Sequence, residues 1–205
     1  TFLKRGDNMI LIIDNKDSFT YNIVDYVKQS YRGLIEVIDV TYLTVNKIYE
    51  LAPKAIIISP GPGAPRDYPL LNEVIKTFSE AMPILGVCLG FQQIVTYFGG
   101  DIIKSDKPIH GHTTQIRHSG KGLFHQLPET FKVMRYHSLK AHAQTFPNTL
   151  EITAINEDNI IMGLEHKVLP IYGVQYHPES ILSEHGLTQI QTFINIVEAY
   201  HANTL

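Results

Sequence analysis

The segment PILGVCLGFQQ (Pro83–Gln93) places the only cysteine of the chain, Cys88, between Gly86 and Gly90. Glycines two positions either side of a nucleophile are typical of a tight turn between a strand and a helix, because larger side chains would clash there. The start of the helix also favours the thiolate, which is the reactive form of cysteine. The spacing therefore predicts a nucleophilic Cys88; the alternative is a small buried residue in an ordinary turn.

A second segment, GVQYHPES (Gly173–Ser180), carries the partners that a cysteine nucleophile needs, a histidine base and a third group that orients it. A strand is predicted to end at His177, and Pro178 stops its continuation. Side chains at i and i+2 point the same way in an extended backbone, so Glu179 is expected to face His177 and to set its tautomer. The alternative is a strand end followed by a solvated turn.

A third segment, SPGPG (Ser59–Gly63), follows another predicted strand. Its alternating prolines and glycines predict a stiff loop in which backbone N–H groups can approach a ligand closely. Such donors can stabilise an oxyanion. We expect the N–H groups of Gly61 and Leu89 to do so, because Leu89 directly follows the candidate nucleophile.

These three segments need a scaffold that brings them together. Strand and helix patterns alternate up to Gly100, which predicts an α/β fold with a doubly wound, mostly parallel sheet flanked by helices. Short strands joined by turns follow and predict a smaller antiparallel sheet, before a final amphipathic helix. Ligands bind at the carboxyl ends of the strands in such sheets, where Cys88 and the SPGPG loop fall. Met9 begins the first apolar run, so we expect an N-terminal extension over 1–8 and a single domain over 9–202.

Composition excludes several classes of function. The 205 residues are 44% hydrophobic and 18% charged, which argues for a packed core. The net charge is −3 and no Lys/Arg run exceeds two, which argues against binding to nucleic acid or anionic membrane. No apolar segment reaches the ~18 residues of a membrane span. One cysteine cannot form an internal disulfide, which predicts a cytoplasmic location. No dinucleotide or ATP motif is present, and His110, His112 and His118 lack the spacing of a metal motif, so we expect no cofactor and no metal.

Together the segments resemble the class I (triad) glutamine amidotransferases, from Met9 to about Ile196. DNKDSFTYN (Asp14–Asn22) and RYHSL (Arg135–Leu139) resemble the branch that serves chorismate-using synthases. The resemblance implies the fold of this family and hydrolysis of L-glutamine to glutamate and ammonia. It assigns catalysis, through a γ-glutamyl thioester, to Cys88, His177 and Glu179.

The same resemblance implies which residues bind the substrate and what kind of partner the chain binds. It implies a heteromer in which ammonia passes to the large, chorismate-binding subunit of a synthase, since no segment of this chain is assigned to chorismate. His112 and Lys16 depart from the residues common in the family, lysine and tyrosine, which puts the docking of that partner in doubt but not the triad. The residues implied to hold glutamine are Gly61, Pro62, Gly63, Gln92, Ser138 and Leu139.

Two questions stay open in the sequence. IMGLEH (Ile161–His166) and YHPESILSEHG (Tyr176–Gly186) resemble the aminodeoxychorismate synthase branch (folate pathway) more than anthranilate synthase component II (tryptophan pathway); a protein shared by both is a further alternative. Functions of another class are a stand-alone cysteine hydrolase or a non-catalytic binding module with a structural Cys88.

Overall fold

The structure of the protein is a computed structural model that describes residues 8–107, 109 and 111–204. Most of the predicted N-terminal extension (residues 1–7) and His110 lie outside the described residues. The predicted domain bounds, 9–202, stay a prediction.

A nine-stranded sheet forms the centre of the fold, in the order β2-β1-β3-β4-β11-β10-β9-β6-β7. The first five strands of this order run parallel, and the other four are added with antiparallel pairing. Strands β5 and β8 form a separate antiparallel pair. The strands are β1 (Met9–Asp14), β2 (Leu34–Asp39), β3 (Ala55–Ile58), β4 (Ile84–Val87), β5 (Ile102–Lys104), β6 (His112–His118), β7 (Thr130–Arg135), β8 (Leu139–Ala141), β9 (Leu150–Asn156), β10 (Ile161–His166) and β11 (Ile171–Val174).

Helices cover both faces of the parallel strands. Residues of β1 alternate between two apolar clusters: Ile10 and Ile12 face α1 and α5, whereas Leu11 and Ile13 face α2, α3 and α4. Burial on both faces explains why β1 and β3 consist almost entirely of aliphatic residues. The predicted fold class is therefore confirmed. The helices are α1 (Thr20–Ser30), α2 (Val45–Leu51), α3 (Pro69–Phe78), α4 (Leu89–Tyr97) and α5 (Gly186–Asn203).

Two helix starts differ in how they are capped. The N-cap of α1 is Phe19, which has no side-chain capping bond. The Asp17 carboxylate instead accepts a hydrogen bond from the Phe19 N–H at 2.7 Å, closing a turn just before the helix. Thr44 caps α2, since its Oγ1 accepts from the Lys47 N–H at 3.0 Å.

Within the described part of the chain, no helix combines the length and the apolar character needed to cross a bilayer.

The parallel arrangement determines where functional residues can meet. Because β1, β3, β4 and β11 run in the same direction, the segments after their carboxyl ends emerge at one edge of the sheet. Those segments begin with Asn15, Ser59, Cys88 and Gln175.

Candidate active site

Cys88 occupies a strained turn between β4 and α4. Its backbone has φ +53° and ψ −97°, a conformation that is uncommon for a residue with a side chain and costs roughly 1–3 kcal/mol. A Cβ added to Gly86 would overlap the backbone of Gly90, and one added to Gly90 would overlap the carbonyl oxygen of Ile58. Both glycines are therefore required by close packing, as the spacing predicted. The thiol lies at the start of α4, where N–H groups without helical partners point toward it.

His177 and Glu179 form a buried pair. His177 Nδ1 lies 2.6 Å from Glu179 Oε1, and each residue is 2% exposed. The expected contact is present, but the predicted reason, an extended backbone, is wrong. Pro178 and Glu179 instead form a turn that the Ser180 N–H closes on the His177 carbonyl at 3.2 Å. Glu179 Oε2 is buried and accepts no hydrogen bond from the residues that the structure describes, so the charge of the carboxylate is neutralised mainly by the imidazole.

The electrostatics of His177 favour its charged form. Burial alone would lower its pKa, but interactions with the Cys88 thiol and the Glu179 carboxylate outweigh burial and raise the pKa to about 11. An imidazolium between a carboxylate and a sulfur stabilises that sulfur as the thiolate. The geometry therefore places a positive charge beside the Cys88 sulfur.

The loop that carries His177 is attached to the outer edge of β7. The His177 N–H donates to the Met134 carbonyl at 3.0 Å. Ser183 Oγ accepts from the Met134 N–H at 2.9 Å and donates to the His177 carbonyl at 2.6 Å. Glu184 adds two bonds to the backbone of Lys132, each 2.7–2.9 Å long. These hydrogen bonds pair backbone groups that the β7 edge of the sheet would otherwise leave free, and they hold His177 in place.

Two aromatic side chains pack against the imidazole of His177. The ring centroids of Phe19 and Tyr136 lie 5.5 Å and 5.1 Å from that of His177, and the two aromatic rings stack on each other at 5.0 Å. Such contacts restrict rotation of the imidazole and keep water from one side of it.

The SPGPG loop lies against the nucleophile turn. A Cβ on Gly61 would lie 2.6 Å from Asn15 Cβ and 2.9 Å from Leu89 Cδ2, so only glycine fits. Asn15 holds the loop through its backbone N–H and side-chain amide, which donate to Ser59 Oγ and Ser59 O at 2.9 and 2.8 Å. Among the described residues, none accepts a hydrogen bond from the N–H of Gly61 or Leu89. Their role as oxyanion donors stays a prediction.

A cavity of about 1060 Å³ opens beside Cys88 and His177, whereas Glu179 lies behind the imidazole and does not line it. The Gln92 amide nitrogen donates to Gln175 Oε1 at 3.3 Å, which fixes its orientation. The structure thus brings all the predicted substrate residues together. Those residues are Gly61, Pro62, Gly63, Gln92, Ser138 and Leu139.

His137 is a residue that sequence reasoning missed. Its Nδ1 hydrogen-bonds the Leu139 carbonyl, and its Nε2 is buried with no partner among the described residues. Burial, and then the nearby charge of Arg135, lower its pKa to about 3. His137 is therefore neutral at physiological pH and holds the Ser138–Leu139 backbone at the cavity wall. Its place inside the RYHSL segment was the available signal.

The histidines considered for a metal site do not gather. Both ring nitrogens of His118 are used, one with the Pro128 carbonyl at 2.6 Å and one with the Gly120 N–H at 3.0 Å. His112 lies at the opposite end of β6, and His110 is outside the described residues. No group of three or more histidine, cysteine, aspartate or glutamate side chains in the described ranges could hold a metal ion.

Comparison with known proteins identifies similar chains. The family described as "Glutamine amidotransferase class-I" matches residues 11–197. Anthranilate synthase component 2 of Cyanophora paradoxa is 47% identical over 189 residues, covering 91% of this chain and 98% of that protein. Aminodeoxychorismate synthase component 2 of Klebsiella aerogenes is 44% identical over 188 residues, covering 91% and 100%.

Longer relatives and a solved structure also match. The chain spans only 24–52% of the length of the bifunctional and multifunctional tryptophan biosynthesis proteins that it resembles. The crystal structure of a glutamine amidotransferase from Thermotoga maritima superposes with a TM-score of 0.71 at 14% identity, covering 94% of this chain and 85% of that one. That likeness concerns the fold.

Proposed function

Because the chain belongs to the class-I glutamine amidotransferase family, we propose that it is the glutaminase component of a chorismate-using synthase. It hydrolyses L-glutamine to glutamate and ammonia and passes the ammonia to a chorismate-binding partner. The observation that carries the proposal is the meeting of Cys88 and His177 at one cavity, with Glu179 bonded behind His177 at 2.6 Å.

Cys88 is the nucleophile of the proposed reaction. Its thiolate attacks the side-chain amide carbon of glutamine, the C–S bond forms, and the carbonyl electrons move to oxygen. The His177 imidazolium then gives a proton to the departing nitrogen as the C–N bond breaks, which leaves a γ-glutamyl thioester and ammonia. The neutral imidazole next takes a proton from water, whose oxygen attacks the thioester and releases glutamate and the thiolate. Glu179 holds the tautomer and stabilises the charge of His177.

The backbone N–H groups of Gly61 and Leu89 stabilise the oxyanion in both steps. The proposal is supported by the close packing of the Gly61 backbone on Leu89 and by the absence of acceptors for these N–H groups among the described residues. Gln92, Ser138 and Leu139 hold the α-amino and α-carboxylate end of glutamine, together with the Gly61–Gly63 loop.

A partner is proposed to cover the outer part of the cavity. Its volume of about 1060 Å³ lies just above the usual range for small-molecule sites, about 300–1,000 Å³, and exceeds the needs of one glutamine. Its lining includes exposed charged residues, which suit a polar protein interface: Lys16, Arg66, Asp67, Asp101 and Lys104. Ammonia would be protonated and diluted in water, so a direct route into the partner is favourable.

Among the possible partners we favour aminodeoxychorismate synthase, on the basis of the Ile161–His166 and Tyr176–Gly186 segments. Anthranilate synthase is the alternative, and relatives of similar identity carry each name. One Bacillus subtilis relative, 42% identical, carries both. Product analysis after mixing the chain with either synthase component, chorismate and glutamine separates the three outcomes.

The replacement Cys88→Ala tests the proposed chemistry. In the mixed complex, glutamine-dependent product formation should fall at least about a thousandfold, while activity on added ammonium salts should persist. The ammonium reaction serves as the control for folding and docking in the same sample. Unchanged glutamine-dependent activity would contradict the proposal, and high wild-type glutaminase activity that no synthase component alters would favour a stand-alone hydrolase.

A further inference from the structure

Gln175 is a buried amide beside the reactive sulfur that the proposed mechanism does not use. Its Nε2 lies 3.8 Å from Cys88 Sγ, within hydrogen-bonding reach of a large acceptor such as sulfur. Its Oε1 accepts from Gln92 Nε2 at 3.3 Å, and its backbone N–H donates to the Met162 carbonyl at 2.9 Å. The side chain is fully buried, so both ends of the amide bond to protein groups rather than to water.

The sheet determines the position of Gln175. Strands β4 and β11 are parallel neighbours with Val87 opposite Val174, and the Cys88 N–H continues the ladder by donating to the Val174 carbonyl at 2.9 Å. Gln175 is the next residue on its strand, so it lies beside Cys88 although 87 positions separate the two. A residue held by sheet hydrogen bonds is well suited to position a reactive atom.

The charge state of the sulfur determines the orientation of the amide. A thiolate accepts hydrogen bonds and repels a carbonyl oxygen, so the Gln175 N–H group rather than its oxygen faces Cys88. The hydrogen bond from Gln92 to Gln175 Oε1 supports the same orientation from the other end of the amide.

We infer that Gln175 is a further catalytic residue, whose amide N–H hydrogen-bonds the Cys88 sulfur and stabilises it as the thiolate. The inference rests on the proposed function, because it takes Cys88 as the nucleophile. The bond supports the thiolate before attack and again when the thioester breaks and the sulfur leaves.

Other ionisable groups face the same space and contribute to the titration of the sulfur. They include His177, backed by Glu179, the neutral His137, and Tyr136. Residues farther along the cavity wall are the same in every variant below, so they do not alter a comparison between variants. Those charged residues are Lys16, Asp17, Arg66, Asp67, Asp101 and Lys104.

Alkylation by iodoacetamide measures the sulfur directly, because Cys88 is the only cysteine of the full chain. The rate is followed against pH for the wild type and for Gln175→Met, which keeps the side-chain length but removes the donor. The matched control is Gln93→Met, a buried amide of α4 that bonds Asn72 at 2.7 Å and does not contact Cys88.

In Gln175→Met the midpoint of the alkylation profile should move up by about one pH unit, a tenfold change in thiolate equilibrium. The glutaminase kcat should fall by about tenfold, with KM changed less than about twofold, because the bond acts on the sulfur rather than on the substrate. Gln93→Met should keep the wild-type profile. Gln175→Glu preserves shape and puts a carboxylate beside the sulfur, so its midpoint should move further in the same direction.

Equal midpoints for the wild type and both Gln175 variants would overturn the inference while leaving the proposed function intact. A wild-type Cys88 that alkylates no faster than an ordinary buried thiol at neutral pH would overturn both. Thermal unfolding of each variant identifies a folding defect. If Gln175→Met does not fold, Gln175→Glu decides the inference alone, because an unchanged midpoint in it contradicts the inference equally.

Discussion

The two sides of the active site are built in different ways. Cys88 depends on local sterics: a strained backbone between two glycines that contact other backbone atoms. His177 depends on distant partners, because its loop hydrogen-bonds the edge of β7 and its ring packs against two stacked aromatic residues. A nucleophile needs one rigid direction of attack, which a steric turn provides. A proton carrier needs a controlled charge and tautomer, which hydrogen bonds and a buried carboxylate provide.

The largest effect is expected when alanine replaces a tightly packed glycine on the Cys88 side or the His177 side of the active site. Gly90→Ala overlaps the Ile58 carbonyl and Gly186→Ala overlaps the Pro178 carbonyl, so each should destabilise the fold by at least about 3 kcal/mol and abolish glutaminase activity. Urea unfolding measures the first quantity and an assay of glutamate release the second.

The control for both glycine variants is Gly99→Ala, where the added Cβ meets no described atom within 4 Å although φ is +98°. It should cost about 1–2 kcal/mol, from the left-handed backbone alone. If Gly90→Ala were as stable as Gly99→Ala, the steric account of the nucleophile side would be wrong.

Removal of the charge of Glu179 tests the electrostatic account of the His177 side. Glu179→Gln keeps the shape but loses the anion, so kcat should fall by roughly 10²–10⁴-fold. Cys88→Ala in the same assay provides the background rate. Near wild-type kcat would contradict the role of the carboxylate.

The same variant should change the dependence of stability on pH. The pKa of His177 is raised from 6.5 to about 11 on folding, so the folded state retains a proton that the unfolded chain releases. This contribution is complete below about pH 6.5 and is lost as pH rises toward the folded value, with a slope of up to about 1.4 kcal/mol per pH unit. The proposed Cys88 thiolate lacks a proton that the unfolded thiol keeps up to about pH 8.5, so the decline is read above that pH. Glu179→Gln should flatten it in the free energy of unfolding, measured in urea at about pH 8.5, 9.5 and 10.5. An equally steep decline in the variant would show that Glu179 does not raise the pKa of His177.

A smaller effect is expected at Ser183, which bridges β7 to the His177 carbonyl. Ser183→Ala leaves the buried Met134 N–H without its acceptor and removes one of the two bonds to the His177 carbonyl, and should cost about 1–3 kcal/mol. We expect kcat to fall by about tenfold because the imidazole loses part of its support. Ser183→Thr retains the hydroxyl and should restore most of kcat. Equal kcat in the alanine and threonine variants would mean that the hydroxyl does not position His177.

The smallest effect belongs to a residue outside both sides of the site. Thr44 caps α2 through Lys47, and Thr44→Ala should cost about 1 kcal/mol of stability. Glutamate release and Cys88 alkylation should match the wild type when measured well below the unfolding transition. Altered alkylation would mean that the nucleophile turn depends on packing far from it.

The parts of the site that sequence reasoning predicted are those encoded over short distances. The Gly86–Cys88–Gly90 spacing encodes its own turn, and Glu179 follows His177 by two positions, so their contact needs one turn only. Even there the backbone differed from expectation, because Pro178 starts a turn where an extended strand was predicted.

Sequence reasoning missed the residues whose contacts depend on the pairing of distant strands. Gln175 stands two positions before His177, but its contact with Cys88 depends on the pairing of β4 with β11. Ser183 gave no signal at all, since its role requires that β7 be an edge strand beside it.

The amino-acid sequence by itself determined the order of elements, the family and the strained turn of Cys88, because patterns of apolar residues and glycines act over a few positions. Only the tertiary structure decided which strands are neighbours and which strand forms the edge. Strand pairing joins segments more than eighty residues apart, and its hydrogen bonds run through backbone groups that every residue type carries. The charge of His177 and the placement of Gln175 against the sulfur follow from that pairing.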